Sequence, residues 1–363
     1  MSIWRWADWI EHVPEEARIT LGEGDTPLVR SKVIGPEAGL RNLFLKLEAA
    51  NPTGSFKDRF AAAAVSHMVA RGQRTCVATS SGNAGSSLAA YCAASGVSCR
   101  IAIVETAPDQ KLRQMMAYGA DIFRVRDFGS DPEVTFRTFQ ALERIGSRTD
   151  AALQVSAYVY SPLGMSGVET LGLELAEQSE APVDHVFCPA GGCGLVVAVA
   201  RGFALMVERG RLAYSPAIEC VQPEGNNTAA GPLREGAERA RPVESTTRIS
   251  GLQVPTVNDG DLLIQACRPT GGTGHLVTDE EVWELQGRLA REEGIFCEPA
   301  AAVAVAGALN AVREGIVSPD ARVVCLVTGT GFKDAWSVDR MLRHFSCETV
   351  DLSALEQEVA DPD

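Results

Sequence analysis

Short apolar runs alternate along this chain with longer helix-like segments, and that alternation organises the whole sequence. Cys76 to Ala78, Cys99 to Val104, Asp121 to Val125, His185 to Cys188, Ile218 to Gln222 and Val323 to Val327 read as strands. Phe60 to Ala70, Leu88 to Ala94, Gln110 to Tyr118, Pro132 to Glu143, Val168 to Gln178, Leu195 to Glu208, Asp279 to Glu293 and Ala300 to Val312 read as helices. The order predicts an α/β fold whose parallel sheets are covered on both faces by helices, with ligands at the carboxyl ends of the strands. Residues 225–254, polar and rich in Gly, Pro, Arg and Glu, read as an irregular excursion or lid, and residues 348–363 as a loosely held acidic tail.

Composition narrows this picture. Of 363 residues 45% are apolar, enough for one or two closely packed cores. A net charge of −14 argues against nucleic acid as a partner, because phosphate backbones are held by clustered Lys and Arg. Ten cysteines are scattered singly, with no C-x-x-C pair and no Cys/His spacing suited to zinc. They read as reduced core residues of a cytoplasmic protein, and no metal site is expected. Met1 to Trp9 carries no continuous apolar stretch, and no apolar span reaches about 20 residues, so a soluble chain without a membrane segment is expected.

Chemistry concentrates in three turns. Asn51-Pro52-Thr53-Gly54-Ser55-Phe56-Lys57-Asp58-Arg59 sets one lysine at the start of a long apolar helix. The positive end of the helix and burial both disfavour an ammonium there, and a neutral amine is what an imine-forming lysine needs. The alternative, a surface lysine in a first helical turn, is an unfavourable place for a cation. Thr79 to Ser87 joins a strand to a helix, so its backbone N–H groups can hold a carboxylate or phosphate while the Asn83 amide reaches a ring hydroxyl. Pro189-Ala190-Gly191-Gly192-Cys193-Gly194 does the same after His185 to Cys188, its glycines letting backbone close on a phosphate.

Taken in order, these turns resemble the threonine synthase branch of the fold-type II pyridoxal phosphate enzymes, the group that includes tryptophan synthase β, cysteine synthases and threonine/serine dehydratases. The resemblance runs through Leu21 to Leu28, Lys46-Leu47-Glu48, Asn51 to Arg59, Ser80 to Ala84, Gly191 to Gly194, Gly294 to Ala300 and Thr328 to Asp334, about nine-tenths of the chain. It implies two parallel-rich open α/β sheet domains with the active site in the cleft between them. Residues 1–50 and 160–347 would form the large domain that binds the cofactor phosphate. Residues 51–159 would form a small inserted domain carrying the lysine and the Ser-Gly-Asn loop, with 348–363 as the tail. By the same resemblance Lys57 bonds the cofactor, Asn83 meets its ring hydroxyl, Gly191, Gly192, Cys193 and Gly194 hold its phosphate, and Thr328 faces its ring nitrogen. Ser80, Ser81, Gly82, Asn83 and Ala84 would take the substrate carboxylate, and a homodimer is expected.

A neutral Thr328 hydroxyl at the ring nitrogen suits elimination or replacement at Cβ and Cγ better than transamination. The implied reaction is that of threonine synthase, O-phosphohomoserine and water giving threonine and phosphate. The segment Val155 to Gly167, from which the resemblance draws cations for the substrate phosphate, contains no Arg, Lys or Asn. A buried dianion without a cation is costly, so Lys111, Arg113 or Arg59 has to substitute, or the leaving group is not phosphate. Phe60 stands where the family usually has Gly, and the Gly191 to Gly194 loop looks more like that of the dehydratases. The alternative is therefore a threonine/serine ammonia-lyase, or a β-replacement synthase acting on serine, phosphoserine or a related amino acid. Asp58 and Arg59 read as orienting the Lys57 turn or as ordinary helix-start chemistry, and Glu298 as a cap or an acid. The five histidines read as structural, and Gly271, Gly272 and Gly274 as a flexible loop.

Overall fold

The computed structural model describes residues 2–360. The chain runs through β1 (Leu28–Arg30), α1 (Ile34–Glu37), β2 (Asn42–Leu47), α2 (Lys57–Ala70), β3 (Thr75–Ala78), α3 (Asn83–Ser95), β4 (Ser98–Val104), α4 (Asp109–Ala117), β5 (Asp121–Val125), α5 (Pro132–Gly146), β6 (Ala151–Gln154) and α6 (Pro162–Gln178). It continues through β7 (His185–Pro189), α7 (Gly194–Glu208), β8 (Ala217–Pro223), α8 (Ala230–Arg234), α9 (Gly260–Cys267), β9 (Gly274–Val277), α10 (Asp279–Glu292), α11 (Pro299–Arg313), β10 (Arg322–Val327), α12 (Ala335–Met341) and α13 (Leu352–Ala360).

The strands assort into a six-stranded sheet of order β1-β2-β10-β7-β8-β9 and a four-stranded sheet of order β5-β4-β3-β6. Pairing is parallel throughout except for the edge strand β1, which runs antiparallel to β2. Strand β10 shows why the central runs are apolar without alternation. Its Val324 and Leu326 enter the core shared with α6 and α7, while Val323, Cys325 and Val327 enter the core built on α11. Both faces are covered, so Val323 to Val327 are all buried. Among the described residues no helix is long and apolar enough to cross a membrane.

Helix α6 begins at Pro162, six residues before the expected Val168. Gly164 and Gly167 make that stretch look like a breaker, yet they are where α2 comes closest. A Cβ on Gly164 would lie 2.7 Å from the Phe60 ring, and one on Gly167 would strike the Arg59 carbonyl. The two glycines therefore buy helix contact at the cost of local propensity.

The motif residues Thr26, Lys46, Glu48, Asn51 and Arg59 converge on a buried ionic cluster. Arg59, fully buried, donates to Glu48 through Nε at 2.8 Å and Nη2 at 2.7 Å, and to Glu174 through Nη1 at 2.9 Å. Lys46 pairs with Glu174 from the other side and donates to Gln178 at 2.7 Å, while Asn51 and Thr26 complete Glu48. The cluster joins the N-terminal segment and β2 to α2 and α6.

Two further expectations change. The excursion 225–254 is only partly a lid: Ala229, Ala230, Leu233, Ile249 and Leu252 are core residues, and α8 is helical. Apolar positions spaced among Arg and Glu hid them. The acidic tail contains α13, with Leu352 and Leu355 exposed, and residues 361–363 lie outside the described ones.

Candidate active site

Loops at the carboxyl ends of strands from both sheets line one cleft of about 510 Å³. Lys57 opens α2 and projects into it, its Nζ donating to Ser156 Oγ at 2.7 Å and lying 4.5 Å from the Phe56 ring centre. The turn before it is locked to the other sheet. Phe56 N–H donates to the Thr328 carbonyl at 3.0 Å, and Thr330 N–H to the Gly54 carbonyl at 2.9 Å. Gly54 has φ of 90°, and a Cβ there would lie 2.7 Å from Thr330 Cγ2, so both its conformation and its neighbour demand glycine. Asp58 accepts from Thr53 N–H and Oγ1, each at 2.6 Å, and so holds the turn from behind.

Burial pulls the Lys57 ammonium down to about 8, against Asp259 and Glu298, which oppose the shift. At neutral pH an appreciable fraction of the amine is thus free. An NMR titration of the Lys57 side chain in cofactor-free protein is expected to show a midpoint near 8, the amine neutral above it. A midpoint at the ordinary lysine value would contradict the desolvated site.

The loop from Ser80 to Ala84 forms one wall, with Ser80, Ser81, Gly82, Asn83 and Ala84 all lining the cleft. The Asn83 amide, expected at a ring hydroxyl, donates to Glu298 at 2.9 and 3.1 Å. Burial pushes the Glu298 carboxyl up to about 7, while Asn83 and then Lys333 resist. Opposite, Gly191, Gly192, Cys193 and Gly194 lead into α7, with Cys193 in the left-handed region at φ 74°. A Cβ on Gly191 would come 2.8 Å from the Gly251 carbonyl, and one on Gly194 2.9 Å from Asp259 Oδ2. This is a cradle of backbone at the start of a fifteen-residue helix, fit for a phosphate monoester. Thr328 closes the cleft at the end of β10. An amine, a backbone cradle and a neutral hydroxyl around one cleft fit the expected cofactor.

The cation candidates separate. Lys111 lines the cleft and donates to Ser250 Oγ. Arg113 is exposed and outside the lining. Arg59 is corrected: its guanidinium is enclosed by Glu48 and Glu174 and cannot meet a substrate. Lys333, overlooked as a candidate, also lines the cleft and donates to Gln114 at 2.6 Å, its ammonium pulled down by burial. It stood within the Thr328 to Asp334 block, quoted there only for the resemblance. Ser156 and Asp259 were likewise missed. Asp259 accepts from the backbone N–H groups of Tyr158 at 2.7 Å and Val159 at 3.1 Å, and so fixes the link that carries Ser156.

The sequence profile of the family described as "Pyridoxal-phosphate dependent enzyme" matches residues 19–329. The threonine synthase of Methanocaldococcus jannaschii is 32% identical over 92% of this chain and 81% of its own length. That of Halalkalibacterium halodurans is 29% identical over 92% and 91%. Among solved structures, threonine deaminase isoform 2 from Solanum lycopersicum superposes with a TM-score of 0.73 at 18% identity, covering 95% of this chain and 94% of that one. O-ureido-L-serine synthase superposes at 0.70 and 23%, covering 92% and 97%. These last two likenesses speak to the fold alone.

Proposed function

Since the chain belongs to the pyridoxal-phosphate dependent enzymes, we propose that it is a lyase of the threonine synthase type, converting O-phosphohomoserine and water to threonine and phosphate. The observation that carries this reading is Lys57, a desolvated amine facing the Gly191–Gly194 cradle and Thr328 across one cleft. Pyridoxal phosphate, when bound, supplies an electron sink for carbanion character developed on an amino acid. Lys57 would bond it, Gly191, Gly192, Cys193 and Gly194 would hold its phosphate, Asn83 its ring hydroxyl, and Thr328 its ring nitrogen. Ser80, Ser81, Gly82, Asn83 and Ala84 orient the substrate carboxylate through backbone and hydroxyl donors. The Lys57 amine takes the proton from Cα and returns protons later, steadied by Ser156 Oγ.

Lys111 holds the substrate phosphate in this reading, with Lys333 joining it, because both are cations of the cleft wall. Lys111→Met and Lys333→Met are each expected to lower kcat/KM for O-phosphohomoserine by about 30- to 5000-fold, the equivalent of about 2–5 kcal/mol for a buried charge pair. Unchanged kcat/KM in both variants would remove the phosphate from this site. The cation-free segment Val155 to Gly167 favours a second reading, elimination or replacement at Cβ of threonine, serine or a substituted serine. Purified protein given O-phosphohomoserine, threonine, serine and phosphoserine separately decides between them. Threonine and phosphate from the first substrate support the leading reading; ammonia and keto acid from the others, with the first untouched, replace it.

The same proposal takes residues 51–159 as a small domain inserted between 1–50 and 160–347. It takes the protein as a cytoplasmic homodimer without nucleic acid or membrane partners, a state that light scattering would test.

A further inference from the structure

Cys76, Cys92 and Cys99 share no metal-ligand spacing in the sequence, yet the fold gathers them. Their Sγ atoms lie within 4.8 Å of one another, and no other such trio of His, Cys, Asp or Glu occurs among the described residues. Cys76 and Cys99 are paired in register across β3 and β4, so their side chains leave the same face of the sheet. Helix α3, which lies against both strands, supplies Cys92 from its last turn. All three thiols are free and buried, with Cys99 keeping 6% of its surface exposed. A single buried cysteine serves a core as a small apolar residue. Packing by itself sets no requirement that three sulfurs converge.

The donor set states what it can hold. Among the described residues no histidine or carboxylate joins the three cysteines, so the cluster offers three ligands. A structural zinc takes four. Three sulfurs without nitrogen or oxygen suit a soft, thiophilic centre instead. Burial then selects its charge. Three thiolates around a monovalent or divalent ion leave net negative charge in an apolar core, which is costly, whereas a trivalent centre leaves none.

We propose that Cys76, Cys92 and Cys99 form a binding site for one trivalent arsenic centre, taken up as arsenous acid. Each sulfur replaces one hydroxyl: three S–H and three As–O bonds break, three As–S bonds form, and three waters leave carrying the thiol hydrogens. Arsenic stays trivalent throughout, so neither oxidant nor reductant is needed. The site is separate from the Lys57 cleft. Cys76 and Cys99 are each the second residue of their strand, whereas the cleft is lined from the opposite ends, by Thr79 after β3 and Ile103 near the close of β4. Entry is short, because Ala93, Ala94 and Gly96 are exposed where α3 ends, and helix ends open most readily. The inference stands whether or not the proposed reaction is correct.

Native mass spectrometry of the holoenzyme with arsenite, in thiol-free buffer, tests it. The wild type is expected to gain the mass of one arsenic less three hydrogens, a balance that requires three sulfurs on one centre. A gain of one arsenic and one oxygen less one hydrogen, the signature of two sulfurs, overturns the site, as does no gain at all. Cys76→Ala, Cys92→Ala and Cys99→Ala should each lose the three-sulfur adduct and bind arsenite at least about tenfold more weakly, a difference of about 1.4 kcal/mol or more. Cys347→Ala, which removes the exposed cysteine, should bind as the wild type does. A full three-sulfur adduct in any of the first three variants, or its loss in Cys347→Ala, places the arsenic elsewhere and overturns the assignment. Should an alanine variant fail to fold, the mass balance of the wild type still decides.

Discussion

Lys57→Ala is expected to lower kcat by at least about 10⁴-fold, the scale seen when a group that both bonds and moves protons is removed. No neighbour can stand in. Lys111 and Lys333 lie on the cleft wall but in the proposed reading are taken up by the substrate phosphate, and Lys46 is sealed against Glu174. Lys57→Arg should not restore turnover, because a guanidinium stays charged where a free amine is needed. The fold should survive, since among the described residues the Lys57 side chain makes one hydrogen bond, to Ser156, one contact with the Phe56 ring and no ion pair. Borohydride reduction of the wild-type holoenzyme followed by peptide mapping should mark Lys57. A mark on another lysine, or activity within tenfold of wild type in Lys57→Ala, would sink the assignment.

The second large effect is on stability. Arg59→Ala should cost about 3–5 kcal/mol, because it strands Glu48 and Glu174 in a fully buried site. Burial alone would raise the Glu174 carboxyl, but Arg59 and Lys46 overcome it and hold it at about 2. A carboxylate held below its unfolded value stabilises the fold above the ordinary glutamate range. That contribution is lost as pH falls from about 4.5 toward 2. Urea unfolding at pH 7 and at pH 3 should therefore show a smaller gap between Arg59→Ala and wild type at the lower pH. A loss under about 1 kcal/mol at pH 7 would mean that water or rearrangement reaches the cluster.

How far the sequence could be read depended on whether partners were neighbours. That Lys57, Gly191 to Gly194 and Thr328 share one cleft was legible, because each sits in a short turn whose residues already state its conformation. Ser156 was not, because it meets Lys57 across 99 positions, and no local pattern marks a serine that will accept from a lysine. Arg59 illustrates the opposite error. Beside Lys57 it looked available to a substrate, but one of its two carboxylate partners, Glu174, is 115 positions away. The strands were clear where an unbroken apolar run marked them, as in β10, and unseen where the run was short or interrupted by polar residues, as in β1, β2, β6 and β9. Helix α6 was shortened because glycines serving a contact look the same as glycines ending a helix.

The placement of β10 governs how the protein can be made. It pairs with β2 on one side and β7 on the other, although β2 leaves the ribosome some 275 residues earlier. At about 5–20 residues per second, the N-terminal strands wait for roughly 14–55 seconds before their partner exists. The four-stranded sheet has no such delay, since β3 to β6 lie within residues 75–154. Nascent chains should thus carry a formed smaller sheet beside an open edge on β2, a surface that a chaperone must shield until β10 emerges.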